Sequence, residues 1–262
     1  MTMKTLKIML WMATLTLVWG CSSSDDDSNS QSTFTTSAKP LWAIDWTWND
    51  PAPNWQEPPA TQYECSMNIL VELGIEFLPY STDDDQMAIF IDGTCRSVSK
   101  PNVYPGASVV FLLHIKGTSQ EAGHEMELHY YSAGAKQLFV DGDMPPFTPN
   151  NLMDESFQLI FTPEGKSSKF PLFTGLTVNL PETTPFDITS NDLMAIFVDD
   201  ECRGLCWRNE YDLYPSWRGC IQRRQSEETA TVRYYSADKG GIYTFTPPFK
   251  LNEDLQEINV KF

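Results

Sequence analysis

The sequence predicts an all-β protein with two tandem antiparallel β-sandwich domains. The first observation is a duplication: Met-Ala-Ile-Phe followed by Cys-Arg occurs within residues 86–98 and again within 193–205, at an offset of 107. The second is an alternation of apolar and polar residues in both copies, which is typical of strands with one buried face. The third is the lack of any sustained helical period. Roughly seven short strands per copy indicate a sandwich of immunoglobulin-like size.

Residues 1–20 have the features of a signal peptide. Lys4 and Lys7 give a positive start, and the apolar stretch from Ile8 to Val18 is too short to cross a bilayer as a helix. The end of the segment, Val18-Trp19-Gly20-Cys21, resembles the lipobox of bacterial lipoproteins. This resemblance implies cleavage before Cys21 and lipid attachment to its sulfur. An ordinary signal peptide with an incidental cysteine is the alternative.

Residues 21–38 are predicted to form a disordered tether, because they are polar and rich in serine and aspartate. Their acidic run, Asp25-Asp26-Asp27, resembles the surface-export signal of Bacteroidetes-type lipoproteins. It implies a position on the outer face of the outer membrane, whereas a plain solvated spacer is the alternative.

The charge of the chain argues against nucleic acid as a partner. Removal of the two lysines in residues 1–20 leaves 16 basic and 35 acidic residues, a net charge of −19. A phosphate backbone requires a basic surface, which this composition does not provide.

Residues 39–62 form a tryptophan-rich segment outside both repeats. Four tryptophans occur within fourteen positions: Trp42, Trp46, Trp48 and Trp55. Flat aromatic rings beside aspartate and asparagine side chains are what a sugar-binding surface requires, so these four residues are the candidate ligand-binding residues. The alternative is a packed strap that covers an edge or the core of the first repeat.

The duplicated modules extend over residues 63–164 and 166–262, each of a common domain size. Tyr-Tyr-Ser-Ala at 130–133 and 234–237 and Pro-Pro-Phe at 145–147 and 247–249 continue the match in the same order. The period is too long for a solenoid, so two separate structural units are predicted. These motifs are similar to those of tandem modules in Bacteroidetes surface lipoproteins. The resemblance implies secretion and a β fold, and no particular chemistry.

Five cysteines follow the lipidation site. Cys95 and Cys202 occupy equivalent positions and are predicted to point into the two cores. Cys206 and Cys220 occur only in the second copy. A pair gained together indicates a disulfide, which an exported protein can retain. Cys65 has no evident mate.

The remaining polar clusters favour structural roles. The histidines of His124–His129 are five positions apart on a predicted strand, which does not fit a helical zinc-protease motif. The loops Asp83–Asp85 and Asn191–Asp192 are predicted to be solvated turns, with calcium binding as the alternative. Arg96 and Arg203 are expected to pair with acids of their own domains, or alternatively to recognise a carboxylate or sulfate. No pattern indicates a metal or a cofactor.

These predictions favour a non-enzymatic surface lipoprotein that presents two β-sandwich modules. It would contact the membrane through its lipid and bind polysaccharide or envelope proteins. Architectural similarity to surface starch-binding lipoproteins also implies glycan binding. A structural or adhesive spacer and a glycoside hydrolase are the alternatives. The duplication argues against the hydrolase, because two similar small modules seldom share one catalytic site.

Overall fold

The computed structural model describes residues 31–103, 109–141, 144–158, 162–163, 169–209, 215–252 and 255–262. Within these ranges the protein is all-β, as predicted, and its helical elements are three short 3-10 turns. The turns are Ala60–Gln62, Leu78–Tyr80 and Ser119–Glu121. None of the described helical segments is long and apolar enough to cross a membrane. The predicted signal peptide and Cys21 lie outside the described residues.

A strand forms in the segment that the sequence assigns to the disordered tether. β1 (Gln31–Thr36) pairs antiparallel along its whole length with a strand of the second repeat, Gly241–Thr246. The prediction of disorder is therefore wrong for residues 31–36. The segment is rich in threonine and contains Phe34, residue types that favour strands, and the partner strand presents an edge that β1 covers.

The first repeat forms two sheets. Its strands are β2 (Cys65–Glu72), β3 (Gln86–Ile91), β4 (Thr94–Ser99), β5 (Asn102–Val103), β6 (Val109–Gly117), β7 (Met126–Ser132), β8 (Gln137–Asp141), β9 (Leu152–Gln158) and β10 (Thr162–Pro163). One sheet has the order β10-β8-β7-β3-β4 and the other the order β5-β6-β2-β9. The alternation predicted for β2 is confirmed, because Met67, Ile69 and Val71 all face the core.

The second repeat repeats this arrangement with its two sheets joined. Its strands are β11 (Leu172–Asn179), β12 (Leu193–Val198), β13 (Glu201–Asn209), β14 (Ser216–Arg223), β15 (Glu228–Ser236), β16 (Gly241–Thr246), β17 (Phe249–Leu251) and β18 (Leu255–Asn259). The long strand β13 pairs first with β12 and then with β14. The resulting order is β1-β16-β15-β12-β13-β14-β11-β18, with β17 paired to β15.

The backbone of the second repeat reproduces irregular details of the first. A register shift occurs after Ile89 in the β3–β4 ladder and after Ile196, 107 residues later, in the β12–β13 ladder. The hairpin turn that follows has a positive φ at Asp92 in one copy and at Asp199 in the other. The last long strand of each copy also pairs parallel to the first. The duplication seen in the sequence is therefore a duplication of structure.

The hydrophobic core of the first repeat extends beyond that repeat. It includes Ile44 and Trp46 of the tryptophan segment and Phe170 of the connection between the repeats. It also includes three residues of the second repeat: Ala195, Phe197 and Cys202. A second cluster fills the rest of the second repeat. Apolar side chains of the two repeats therefore pack against each other across the junction.

Candidate functional site

The tryptophan segment is mainly a packed strap. Trp46 is only 2% exposed, and its ring contacts Phe77, Phe139 and Phe170 at centroid distances of 5.1–5.7 Å. Its indole Nε1 donates a hydrogen bond to a backbone carbonyl at 3.2 Å. A ring enclosed on all sides cannot stack on a sugar, so the prediction of Trp46 as a ligand-binding residue is wrong.

The other three tryptophans of the strap are partly exposed. Trp42 packs edge-on against Phe197 of the second repeat. Trp55 packs edge-on against Phe90 on the outer side of the first repeat. The backbone amide of Trp48 donates to the carbonyl of Ala135 at 2.9 Å. The rings of Trp42 and Trp55 and the backbone of Trp48 thus contact a repeat, which favours the packed strap over an open row of stacking rings.

A charged cage surrounds Phe170 at the junction of the repeats. The cations of Lys169, Arg203 and Arg224 lie 5.1–5.5 Å from the centre of its ring. Their acidic partners are Asp45 of the strap and Glu201 and Glu228 of the second repeat. The cage therefore connects the strap to the second repeat through ion pairs around a buried ring.

Arg96 and Arg203 pair with acids of their own repeats, as expected. Arg96 contacts Glu121 and lies over the ring of Tyr63, 4.4 Å from its centre. Arg203 donates to Glu228 at 3.1 Å from a position that is almost fully buried. Both guanidinium groups thus have partners within the fold, which gives no support to recognition of an external anion.

The acidic loops contain one buried aspartate each, so the prediction of solvated turns is wrong for Asp85 and Asp192. The carboxylate of Asp85 accepts hydrogen bonds from the hydroxyl of Tyr130 at 2.8 Å and from the amide of Ala133 at 2.9 Å. Asp192 accepts from Tyr234 at 2.5 Å and from Ala237 at 2.8 Å. These equivalent networks tie each loop to β7 or β15 and to the turn that follows that strand.

A sequence signal for these networks exists. Thr-x-x-Asp occurs at 82–85 and at 189–192, with the same offset of 107 as the strand that follows. The threonine hydroxyl donates to the aspartate at 3.0 Å in both copies. Burial keeps the pKa of the Tyr130 and Tyr234 hydroxyls well above the usual range, and the neighbouring carboxylates add to the effect. Both hydroxyls therefore remain donors at neutral pH.

The predicted disulfide is absent, since Cys206 and Cys220 are both free thiols. Trp207 lies opposite Arg218 in the β13–β14 ladder. Because successive side chains of a strand point to opposite faces, Cys220 shares the face of Arg218, whereas Cys206 points to the other face. Cys206 accordingly belongs to the second core. The sequence spacing was compatible with a bridge, but the strand register directs the two sulfurs apart.

The histidines do not form a metal site. His124 contacts Asp92, and His129 lies on β7 beside Phe90. Within the described parts of the chain, no group of three or more histidine, cysteine, aspartate or glutamate side chains is arranged to hold a metal ion.

An apolar groove lies on the outer face of the second repeat. Its volume is about 300 Å³, and its lining includes Phe173, Gly175, Trp207, Cys220 and Leu255. Three strands meet in its floor, because Gly175 of β11 lies opposite Cys220 of β14 and Leu255 of β18. The missing side chain at Gly175 leaves the space between the walls open.

A row of four side chains of different chemistry crosses the same face of the sheet, beside the floor of the groove. Trp207 lies opposite Arg218, and Arg218 lies opposite Thr177. Thr177 lies opposite Glu257 at the edge of the sheet. Four adjacent strands spaced about 4.8 Å apart give the row a length of about 15 Å. An aromatic ring, a guanidinium group, a hydroxyl and a carboxylate thus share one exposed face.

Polar side chains occupy the corresponding position of the first repeat. Asn68 corresponds to Gly175, and His114, its partner across the ladder, corresponds to Cys220. His114 and Asn68 are hydrogen-bonded at 2.6 Å, so two polar side chains stand where the second repeat has an opening. The two repeats therefore differ in chemistry at this position.

Comparison with known proteins identifies no family. No family model matches the chain. No curated protein matches it either. Among solved structures, the chain is similar to the gamma-CGTase from alkalophilic Bacillus clarkii, with 6% identity and a TM-score of 0.26. The match covers 76% of this chain and 28% of the length of that chain. A likeness at this level defines neither fold nor function.

Cys220 supplies no activated thiol to the groove. Burial raises the pKa of the Cys220 thiol to about 12, and the nearby Glu76 carboxylate adds to the rise. The thiol is therefore neutral at physiological pH and is a poor nucleophile. Sequence reasoning missed this site because Trp207 is isolated in the sequence, and only the strand register places it beside residues of β11 and β18.

Proposed function

We propose that this chain is a non-enzymatic, lipid-anchored surface protein whose two β-sandwich, immunoglobulin-like modules present a glycan-binding groove on the second module. The observation that carries the proposal is the groove beside Trp207. Aromatic side chains offer a flat apolar face to the C–H groups of a sugar ring, and the polar groups of Arg218, Thr177 and Glu257 are placed to meet its hydroxyls.

A binding role fits the groove better than glycoside hydrolysis does. Hydrolysis by the usual route requires two carboxyl groups that face each other across the scissile bond. Glu257 is the single carboxylate of the described row across this face, and its oxygen accepts a hydrogen bond from Asn179 at 2.6 Å. Within this row, Glu257 alone does not provide the pair of carboxyl groups that such a reaction uses.

Replacement of Trp207 by alanine is expected to weaken polysaccharide binding by roughly tenfold or more, because a stacking ring is lost. Trp207 belongs to neither hydrophobic core, so the fold should be retained. Residues 22–262 would be tested against a polysaccharide panel by gel retardation, with circular dichroism to verify the fold.

Alanine variants of Trp48 and Trp55 are the matched controls, since both are partly exposed tryptophans outside the groove. They should bind as the unmodified protein does. Loss of binding in the Trp55 variant with binding retained in the Trp207 variant would move the site to the strap. No binding by the unmodified protein to any polysaccharide would exclude the glycan proposal and favour assembly with envelope proteins.

The anchor is proposed from the resemblance of residues 18–21 to a lipobox. Several acyl chains, each contributing about 0.8 kcal/mol per buried methylene, give stable attachment. A Cys21→Ser variant should therefore move from the membrane fraction to the soluble fraction and lose labelling by radioactive palmitate. An unchanged distribution with no labelling of the natural protein would show that Cys21 is incidental.

A further inference from the structure

The edge of the second repeat is completed by a segment from outside that repeat. β8 and β16 are equivalent strands, 104 residues apart, at corresponding positions in their sheets. In the first repeat, β10 of the same repeat covers the outer edge of β8. In the described parts of the second repeat, no strand of its own covers β16, and β1 takes that place.

β1 is held mainly through its backbone. Six residue pairs form the ladder, from Gln31 opposite Thr246 to Thr36 opposite Gly241. All its side chains except that of Ser32 are exposed. Phe34 makes the principal side-chain contact, against the ring of Tyr243 at 4.8 Å, and it is still 45% exposed. Backbone pairing of this kind is the same whichever copy of the chain supplies the strand.

The connection after β1 is suited to a hinge. Residues 37–41 separate β1 from Trp42, which is the first strap residue packed on the core. They have no regular secondary structure, they include Pro40, and Leu41 is 99% exposed. β1 can therefore leave its edge without moving the strap. Its release breaks the contact of Phe34 with Tyr243 of the second core and the hydrogen bond from the Ser37 amide to the carbonyl of Gly240, and both contacts re-form when β1 of another copy takes the same place.

We propose that β1 is exchanged between two copies of this chain, so that Gln31–Thr36 of each copy pairs with β16 of the other. The contacts of the exchanged dimer are those already present within one chain, which makes a second copy the partner that fits. Within one chain, the short linker holds β1 near β16 at an effective concentration on the order of millimolar. Pairing with β16 of another copy competes with this internal pairing, so exchange is expected to increase with protein concentration.

Engineered cysteines test the exchange in residues 22–262. Thr33 lies opposite Thr244 in the ladder, so Thr33→Cys and Thr244→Cys in one chain should form an internal disulfide on oxidation. The two single variants would be incubated together at high concentration and then oxidised. A covalent dimer joined through positions 33 and 244, identified by peptide mass mapping, is the expected result.

The controls separate exchange from random oxidation of the native thiols. Each single variant alone should give no dimer linked at the introduced positions. A Thr35→Cys variant should couple poorly to Thr244→Cys, because Thr35 lies opposite Ile242. An internal disulfide in the double variant without any mixed dimer would overturn the exchange. Failure of the double variant to form its internal bridge would also overturn it, because β1 would not lie on β16.

Discussion

Replacement of Trp46 by alanine is expected to lower the free energy of unfolding by about 4 kcal/mol. The indole fills the point where the strap, the first repeat and Phe170 meet, and the truncation leaves a cavity lined by aromatic rings. It also leaves the carbonyl of Glu76 without its hydrogen bond from the indole. Urea denaturation followed by far-ultraviolet circular dichroism measures the change without relying on tryptophan emission.

Trp48→Ala is the matched control for this measurement. Trp48 belongs to the same strap, but it is partly exposed and is not part of the first core. Its truncation should cost about 1 kcal/mol, a value typical of partly exposed positions. Equal losses for the two variants would contradict a role of Trp46 as the central packing residue and would reopen the question of a stacking surface on the strap.

The strands were predictable because the same alternation of apolar and polar residues occurs in both repeats. Alternating apolar residues recur in β2 and β11, and the Met-Ala-Ile-Phe strand is buried in both repeats. The Asp92-Gly93 pair is a sequence signal for a tight hairpin, and both residues adopt the positive φ that such a turn requires. The alternation of apolar residues and the turn residues are thus sufficient to locate these strands and hairpins in the sequence.

The site was not predictable, because it depends on which face each residue occupies after strands pair. Clustered tryptophans have the same sequence signature whether they stack on a ligand or fill a core, and Trp46 fills a core. Gly175 and Trp207 are 32 positions apart in the sequence and share a groove only through the register of β11, β14 and β13. β1 was missed for a related reason, since its partner edge is about 200 residues away.

The burial of Asp85 was not predictable from the composition of its loop, because the two aspartates before it are exposed. Asp83 and Asp84 are exposed as an acidic loop should be, whereas Asp85, the next residue, is fully buried. Composition alone describes the three residues identically. The recurrence of Thr-x-x-Asp at an offset of 107 distinguishes Asp85 from its two neighbours. A solvated turn does not require a threonine three residues before the aspartate.

Alanine at Asp192 is expected to lower the free energy of unfolding by about 3 kcal/mol, and alanine at Asp85 by a similar amount. In the second repeat the change removes the carboxylate that accepts hydrogen bonds from the buried Tyr234 hydroxyl and from the amide of Ala237. In the first repeat it removes the acceptor of the corresponding bonds from Tyr130 and Ala133. The burial of the tyrosine excludes water as a replacement, so the desolvation cost is not recovered. Shifts in the urea midpoint of the two variants measure the effect.

Asp84→Ala is the control, because it removes the same charge from the same loop at a side chain that is 91% exposed. It should change the urea midpoint little, because the side chain lies in solvent and the chain remains strongly acidic. If Asp84→Ala and Asp85→Ala shifted the midpoint equally, net charge and not the buried network would account for the loss. A loss confined to Asp85 and Asp192 would show that each repeat depends on the same hydrogen-bonded aspartate, and that the duplication preserved this network while the outer faces diverged.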